Sequence, residues 1–332
     1  MLNTQPSVSS LVDRHNRRFT YLRLSITDAC NFRCSYCLPD GYCASAQDAP
    51  LSVEEIRLLV GAFAQNGTRK IRITGGEPTL RHDLAEIINV CKSTPGIETV
   101  TMTSNGYRLT KTLNSYIDAG LDSLNLSADS LQPETFKLIT GHNKLEQVLN
   151  AIDLALDLGL TTVKVNAVLM REYNATEIGD FLEFVRNKPI TLRLIELMQT
   201  GDNGDFYSAQ HVSGIEIQQR LLKTGWLQVI RHPDAGPALE YTHPDYAGNI
   251  GLIMPYGQNF CDSCNRLRVA SNGNIHNCLF NEANGNLRPF LIDGDTEKLG
   301  QYLRQVVLGK WQGHQLEQGF SGTTQHLAML GG

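Results

Sequence analysis

Six of the eight cysteines in this 332-residue chain fall into two triplets, and their spacing suggests metal or cluster ligands rather than a disulfide framework. The first triplet is Cys30-x3-Cys34-x2-Cys37. It begins three residues after a run that reads as the first strand, in a loop at that strand's C-terminal end, where the active sites of parallel α/β barrels gather. Three thiolates on one tight loop suffice for three irons of a cubane iron–sulfur cluster and leave the fourth iron open. An open position is what separates a reactive metal site from a structural one. A zinc loop would need a fourth ligand, and no histidine lies within the segment. The second triplet is Cys261-x2-Cys264-x13-Cys278. A Cys-x2-Cys pair most often signals zinc, and His276 stands where it could complete a tetrahedral site, so spacing alone leaves zinc open. Arg266 and Arg268, on one parity directly after the pair, weigh the other way. Guanidinium groups suit bidentate contacts with phosphate, and a cluster with an open iron beside them describes a pocket for an anion. Cys43 and Cys91 belong to neither triplet and are expected to be unligated, with Cys91 in the core.

The elements that must position these loops alternate. Strands are expected at Tyr21–Thr27, Lys70–Thr74, Thr99–Thr103, Asp122–Ser127, Thr162–Val168 and Thr191–Leu197. Helices are expected between them, at Val53–Gln65, Asp83–Lys92, Thr110–Ala119, Lys144–Leu158 and Thr176–Arg186, the first opened by a Ser52/Glu55 capping box. Such alternation implies right-handed crossovers and a parallel sheet. Each strand is apolar on one parity and polar on the other: Leu22, Leu24 and Ile26 alternate with Arg23 and Ser25, Ile71 and Ile73 flank Arg72, and Val163 and Val165 flank Lys164. Alternation alone fits a two-layer sheet with one solvated face equally well. Cations in mid-strand favour an open barrel whose polar lumen holds an anion. The turn Gly75-Gly76-Glu77-Pro78 follows the second strand; its glycines permit close backbone approach, and Pro78 is expected to keep the turn from running on into helix.

The expected fold class is therefore α/β, an incomplete TIM-like barrel of about six βα units with a smaller C-terminal covering region. Residues 1–18 read as an arm, 19–200 as the barrel, and 201–332 as the C-terminal region, which has short strands, many Gly and Pro, and helices near Ile215–Leu222 and Glu297–Leu308. The formal net charge of −5 gives no reason to expect nucleic acid or an anionic membrane surface as a partner. No apolar run of about 18 residues is present, as a membrane-spanning helix requires. The polar Met1–Arg18 segment lacks a secretory h-region, so a cytoplasmic location is expected.

The Cys-x3-Cys-x2-Cys loop, with Tyr36 before its last cysteine, resembles the signature of radical S-adenosylmethionine (SAM) enzymes, and Gly75–Pro78 resembles their GGEP turn. Both triplets, that turn, the Arg-x-Arg after the second pair and the closing Gly331-Gly332 together resemble the GTP 3′,8-cyclase family of molybdenum cofactor biosynthesis, over nearly the whole chain. The resemblance implies two [4Fe–4S] clusters, one on Cys30, Cys34 and Cys37 and one on Cys261, Cys264 and Cys278. SAM at the first would yield a 5′-deoxyadenosyl radical; GTP at the second would lose its ribose 3′ hydrogen and close onto C8 of guanine. It further implies SAM contacts from Tyr36, Gly76, Ser127 and Met198. GTP contacts would come from Arg23, Arg72, Thr103, Lys164, Arg266 and Arg268, and a catalytic part from Gly331 and Gly332. A homodimer and an unidentified electron donor are also implied. Ala29 stands where many relatives carry a basic residue and Leu38 where Met is common; neither is a ligand. Two other readings are a radical SAM peptide-modifying enzyme with an auxiliary cluster, which usually has more C-terminal cysteines, and a non-enzymatic two-site metal or electron-transfer protein.

Overall fold

The computed structural model describes residues 10–43, 49–201, 203–230, 235–322 and 327–331. The strands are β1 Tyr21–Ser25, β2 Lys70–Thr74, β3 Thr99–Ser104, β4 Ser123–Ser127, β5 Val163–Leu169, β6 Thr191–Glu196, β7 Leu227–Gln228, β8 Leu239–Thr242, β9 Asn249–Ile253, β10 Arg266–Val269 and β11 Ile275–His276. The helices are α1 Val53–Gln65, α2 Leu84–Ser93, α3 Leu113–Asp118, α4 Pro133–Thr140, α5 Leu145–Asp157, α6 Ile178–Arg186, α7 Gly204–Gln210, α8 Gly214–Lys223, α9 Arg288–Ile292, α10 Thr296–Leu308 and α11 Leu327–Leu330. All strands join one sheet in the order β11-β10-β1-β2-β3-β4-β5-β6-β9-β8-β7. From β10 through β9 the neighbours are parallel, and antiparallel β11 and the β8–β7 pair finish the two edges. The order does not close on itself, so this is a partial barrel.

The apolar parity makes the core. Leu22, Leu24, Ile71, Ile73, Leu124, Leu126, Val165 and Leu192 are fully withdrawn from water and pack beneath helices whose inward faces supply Ile56, Leu59, Phe63, Ile87, Ile152 and Phe181. Each such side chain contributes roughly 1.5–3 kcal/mol on burial. The opposite parity runs in registered rows. One passes Arg268, Arg23, Arg72 and Thr101 across β10, β1, β2 and β3; another passes Thr103, Asn125 and Lys164 across β3, β4 and β5. Thr101 apart, the residues of these rows line a common cavity, as a sheet curled around a polar lumen requires.

The six expected strands are present with ends shifted by two residues at most. The sheet also extends beyond them. β9 and β10 come from the chain after residue 200 and add a parallel strand to each edge, so the C-terminal region builds wall as well as cover. Their four- and five-residue runs, with Gly251 in one and two arginines in the other, lack the apolar continuity that marks buried strands. Pro78 departs from expectation. It opens a short 3₁₀ turn, Pro78–Leu80, at a first-turn position where its missing N–H removes no internal bond.

Candidate functional site

The first cysteine loop leaves β1 and is held from two sides. The glycines of the Gly75–Pro78 turn lie flat against its entry: Gly76 N–H donates to the Thr27 carbonyl at 2.8 Å and Glu77 N–H to the Ala29 carbonyl at 2.7 Å. A Cβ on Gly75 would fall 2.5 Å from the Thr27 carbonyl oxygen, and one on Gly76 would fall 2.6 Å from that of Asp28. The close approach these glycines allow is thus to the cysteine loop itself. Fully buried Glu77 locks the arrangement, accepting from Thr79 N–H at 3.0 Å, Ser104 Oγ at 2.9 Å and Asn105 N–H at 2.7 Å. On the other side the C-terminal end of α4 accepts from the loop backbone, Arg33 N–H to Thr140 and Ser35 N–H to Ile139, at 3.0 and 2.9 Å. Phe32 anchors this side against Phe136 and His142.

Within this frame Tyr36 donates its hydroxyl to Asp129 Oδ2 at 3.0 Å, while Val168 N–H donates to Oδ1 at 2.9 Å. Burial holds the Asp129 carboxyl up at about 6. It likewise pushes the Cys30 thiol to about 11 and the Cys37 thiol to about 12, with Glu77 and Asp129 among the acidic neighbours that add to it. Such thiols give up their protons when a metal cation replaces them.

The second loop runs straight into β10 and stands among bases. Arg17, salt-bridged to Asp13 at 2.7 Å, donates to the carbonyls of Cys261 at 2.9 Å, Gln312 at 2.6 Å and Trp311 at 2.5 Å. Lys310 donates to the Asn277 carbonyl beside Cys278. Burial alone would raise the Cys264 thiol; Lys310, Arg266 and Arg17 reverse that and bring it to about 6. His276 lies against a separate small cleft with Asp28 and Leu330, and its Nδ1 sits 3.4 Å from the Asn281 carbonyl. It does not line the cavity that the thiols share. Among the described residues no three Cys, His, Asp or Glu side chains gather as a single-ion site. The described thiols are unbridged, three on each of two loops, a donor type that iron–sulfur clusters use.

Both loops open on one cavity of about 650 Å³. Every described residue assigned from sequence, Gly331 apart, lines it: Cys30, Cys34, Cys37, Tyr36, Gly76, Ser127 and Met198 toward one loop, Cys261, Cys264, Cys278, Arg266 and Arg268 toward the other, with Arg23, Arg72, Thr103 and Lys164 on the wall. Arg72 reaches Thr103 Oγ1 at 3.0 Å and the Tyr21 hydroxyl. Burial and the neighbouring Arg266 bring the Arg268 guanidinium down to about 10, a measure of how densely cations crowd this wall. The chain's last turn enters the same space. Ala328 N–H donates to the Cys37 sulfur, the Leu330 carbonyl accepts from Arg268 at 3.3 Å, and the Gly331 carbonyl accepts from Arg23. Gly331 has φ +64°, and a Cβ there would fall 2.6 Å from that of Thr74, so only glycine fits. Gly332 lies outside the described residues. Cys91 is buried in the core and Cys43 is exposed, neither on the cavity.

Among the cavity residues not assigned from sequence are Arg17, Asp129, Arg193, Glu240 and Lys310. Arg193 carried the same signal as Arg72, a cation in mid-strand on the polar parity of β6. Arg17, Asp129, Glu240 and Lys310 lie outside the six expected strands and are placed by tertiary contacts.

The fold and these loops have close counterparts. The Radical SAM superfamily model matches residues 24–185 and the Molybdenum Cofactor Synthesis C model residues 190–316. The chain is 51% identical over 331 residues to the GTP 3′,8-cyclase of Aeromonas hydrophila subsp. hydrophila, covering 98% of this chain and 97% of that protein. It is 49% identical to the GTP 3′,8-cyclase of Shewanella denitrificans, again over 98% and 97%. Among solved structures, Streptococcus suis SuiB bound to S-adenosylmethionine aligns with a TM-score of 0.58 at 15% identity, over 80% of this chain and 62% of SuiB, a likeness of fold. The chain spans less than two thirds of SuiB, whereas it spans nearly all of the cyclases. With half of its residues shared along almost its whole length, the chain belongs to the GTP 3′,8-cyclase family.

Proposed function

We propose that this enzyme, a SAM- and iron–sulfur-dependent lyase of the radical SAM superfamily, cyclises GTP to (8S)-3′,8-cyclo-7,8-dihydroguanosine 5′-triphosphate, the first step of molybdenum cofactor biosynthesis. The observation that carries the reading is one cavity with a thiol triplet at each end and a cationic wall between them. We assign a [4Fe–4S] cluster to Cys30, Cys34 and Cys37 and a second to Cys261, Cys264 and Cys278. Held by Cys30, Cys34 and Cys37 and charged by an external one-electron donor, the first would supply the electron for reductive cleavage of the SAM sulfonium.

The chain's own residues do the placing. Tyr36, Gly76, Ser127 and Met198 line the end suited to SAM. Tyr36 is fixed by Asp129, and the backbone that presents Met198 is pinned where Gln199 N–H donates to the Tyr256 hydroxyl at 2.9 Å. Arg23, Arg72, Thr103, Lys164, Arg266 and Arg268 offer donors to the triphosphate and ribose of GTP, while Cys261, Cys264 and Cys278 would hold the cluster at the end that receives the base. A catalytic part is assigned to Gly331 and Gly332; the hold of Arg23 on the Gly331 carbonyl supports it for Gly331. Arg23 and Arg268 thus bind tail and substrate in one network. A peptide substrate has no comparable use for this cationic wall, and a structural metal protein has no use for the cavity.

The division into an arm at 1–18, a barrel at 19–200 and a C-terminal region from 201 is kept as a functional one: the barrel carries the SAM end, and the C-terminal region carries the second triplet. No helix among the described residues is long and apolar enough to cross a membrane, which is compatible with the cytoplasmic site we propose. A homodimer and a separate one-electron donor complete the reading. Anaerobic incubation of reconstituted protein with SAM, reductant and GTP should yield equimolar 5′-deoxyadenosine and cyclised nucleotide. 5′-Deoxyadenosine with GTP unchanged would refute the substrate.

A further inference from the structure

One carboxylate stands among the cations of the wall, and the reaction described above gives it no task. Glu240 belongs to β8, outside the six expected strands. The register across β5, β6, β9 and β8 runs Asn166, Arg193, Gly251, Glu240, so one position without a side chain separates the acid from the arginine. A Cβ on Gly251 would stand 3.0 Å from Arg193 Cγ and 3.4 Å from Ala238 Cβ, so the Arg193 stem occupies the gap. Across it, Glu240 Oε1 accepts from Lys164 Nζ at 3.0 Å and from Arg193 Nη2 at 3.3 Å. The Lys164 and Arg193 side chains keep only 20% and 9% of their exposure, and both line the cavity. A single oxygen therefore holds two cations that an anionic substrate would otherwise meet.

We propose that Glu240 is a built-in counter-anion that competes with the phosphates of the substrate for Lys164 and Arg193 and so sets a charge threshold for binding. The proposal rests on the reading of GTP as substrate and adds a specificity-determining residue to it. In the empty cavity Lys164, Arg193 and Arg72 repel one another across a partly desolvated space, and the carboxylate offsets that repulsion. When a polyphosphate enters, the same cations turn to it, and the contacts with Glu240 weaken or break. A small monovalent anion brings too little charge to displace a carboxylate held by two cations; a triphosphate brings several charges at once. The acid therefore stabilises the empty fold, lowers affinity and excludes common small anions.

The test is Glu240→Gln, which keeps the shape and removes the charge. Anaerobic calorimetry on the reconstituted protein at low salt should show inorganic tripolyphosphate and GTP binding about tenfold more tightly to the variant than to wild type. The ligand-free variant should melt at a lower temperature, and tripolyphosphate should raise that temperature more than it does for wild type. SAM affinity should not move. The sign is the discriminating readout, because a damaged site loses affinity whereas loss of a competitor gains it. Unchanged or weaker tripolyphosphate binding by Glu240→Gln would overturn the role given to Glu240. A wild-type protein that neither binds nor converts GTP would overturn the substrate reading instead, and the tripolyphosphate comparison would still decide the fate of Glu240.

Discussion

The two cysteine loops carry the same three-thiol donor set and open on the same cavity, yet their surroundings are electrostatic opposites. Around Cys30, Cys34 and Cys37 burial pushes the thiols up, and the charged neighbours, Asp129 and Glu77, add to it. Around Cys261, Cys264 and Cys278 they are Arg17, Lys310, Arg266 and Arg268; burial still holds the Cys261 thiol up, but the cations bring the Cys264 thiol down to about 6. On the reading of each triplet as a cluster site, the neighbours decide what each open position accepts. An acidic, buried end favours a ligand with a sulfonium and an ammonium, and a basic end favours a polyanion. The cavity is thus polarised along its length before any ligand arrives.

The sharpest way to break this comparison is to remove one thiol from each loop. Cys34→Ser should abolish reductive SAM cleavage, a loss of at least about a thousandfold in 5′-deoxyadenosine formation, on the scale of losing a principal catalytic group. Cys264→Ser should retain SAM cleavage and lose its coupling to GTP. Chromatographic counting of 5′-deoxyadenosine against cyclised product checks both, and equal loss of SAM cleavage in a folded Cys264→Ser protein would erase the division of labour.

Next in size is the basic end itself. Arg266 lies on the cavity wall next to Cys264, and a charged hydrogen bond in such a place contributes roughly 1.5–3 kcal/mol. Arg266→Ala should weaken GTP binding about 10- to 100-fold, and added salt should weaken wild-type binding, with SAM affinity unchanged. At the acidic end Asp129→Asn keeps an acceptor for Tyr36 and removes the charge. SAM binding should weaken about fivefold to tenfold while GTP binding stays put. If Asp129→Asn shifted GTP affinity and left SAM alone, the polarity assigned to the two ends would be reversed.

How much of this was legible depends on how far along the chain the partners lie. β1 to β6 and α1 were readable because period-2 alternation and a capping box are local signals, and the cations of the lumen stood out as polar residues on an otherwise regular strand parity. α4 went unassigned although it braces the first loop: eight residues between Pro133 and a left-handed Gly141 are too few for a helical period to register. Asp129 follows β4 by two residues, and its partner Tyr36 is 93 residues away. Arg17 sits in what reads as an arm and finds Cys261 across 244 residues. Those roles arise when the sheet closes around them, and no window of sequence contains both partners. Arg193 is different, because its strand parity was visible and the rule applied to Arg72 already covered it.

The smallest effect expected is a pH dependence confined to the basic end. Burial, with Arg193 and Arg72 nearby, pushes the Lys164 ammonium down to about 8, against the pull of Glu240. In the free protein that charge is complete below about pH 7 and is lost as pH rises through 8. A bound polyphosphate favours the ammonium and raises its pKa, so binding above about pH 8 must take up a proton, and affinity should fall severalfold between about pH 7 and 9. Tyr21 acts in the same direction one step earlier. Burial alone would raise its phenol, but Arg72, Arg23 and Lys70 outweigh that and bring it to about 7, and the phenolate then subtracts from the positive field. The two are separable. Lys164→Arg keeps the charge and removes the titration near 8; Tyr21→Phe removes the phenolate near 7. Calorimetric titration of GTP across this range, taken as the difference between each variant and wild type, cancels the ionisation of the terminal phosphate of GTP itself. Lys164→Arg should flatten the upper part of the profile and Tyr21→Phe the lower, with SAM affinity following neither. A wild-type GTP affinity that is level across the whole range would mean that neither group faces the substrate, and the cationic wall would shrink to the arginines alone.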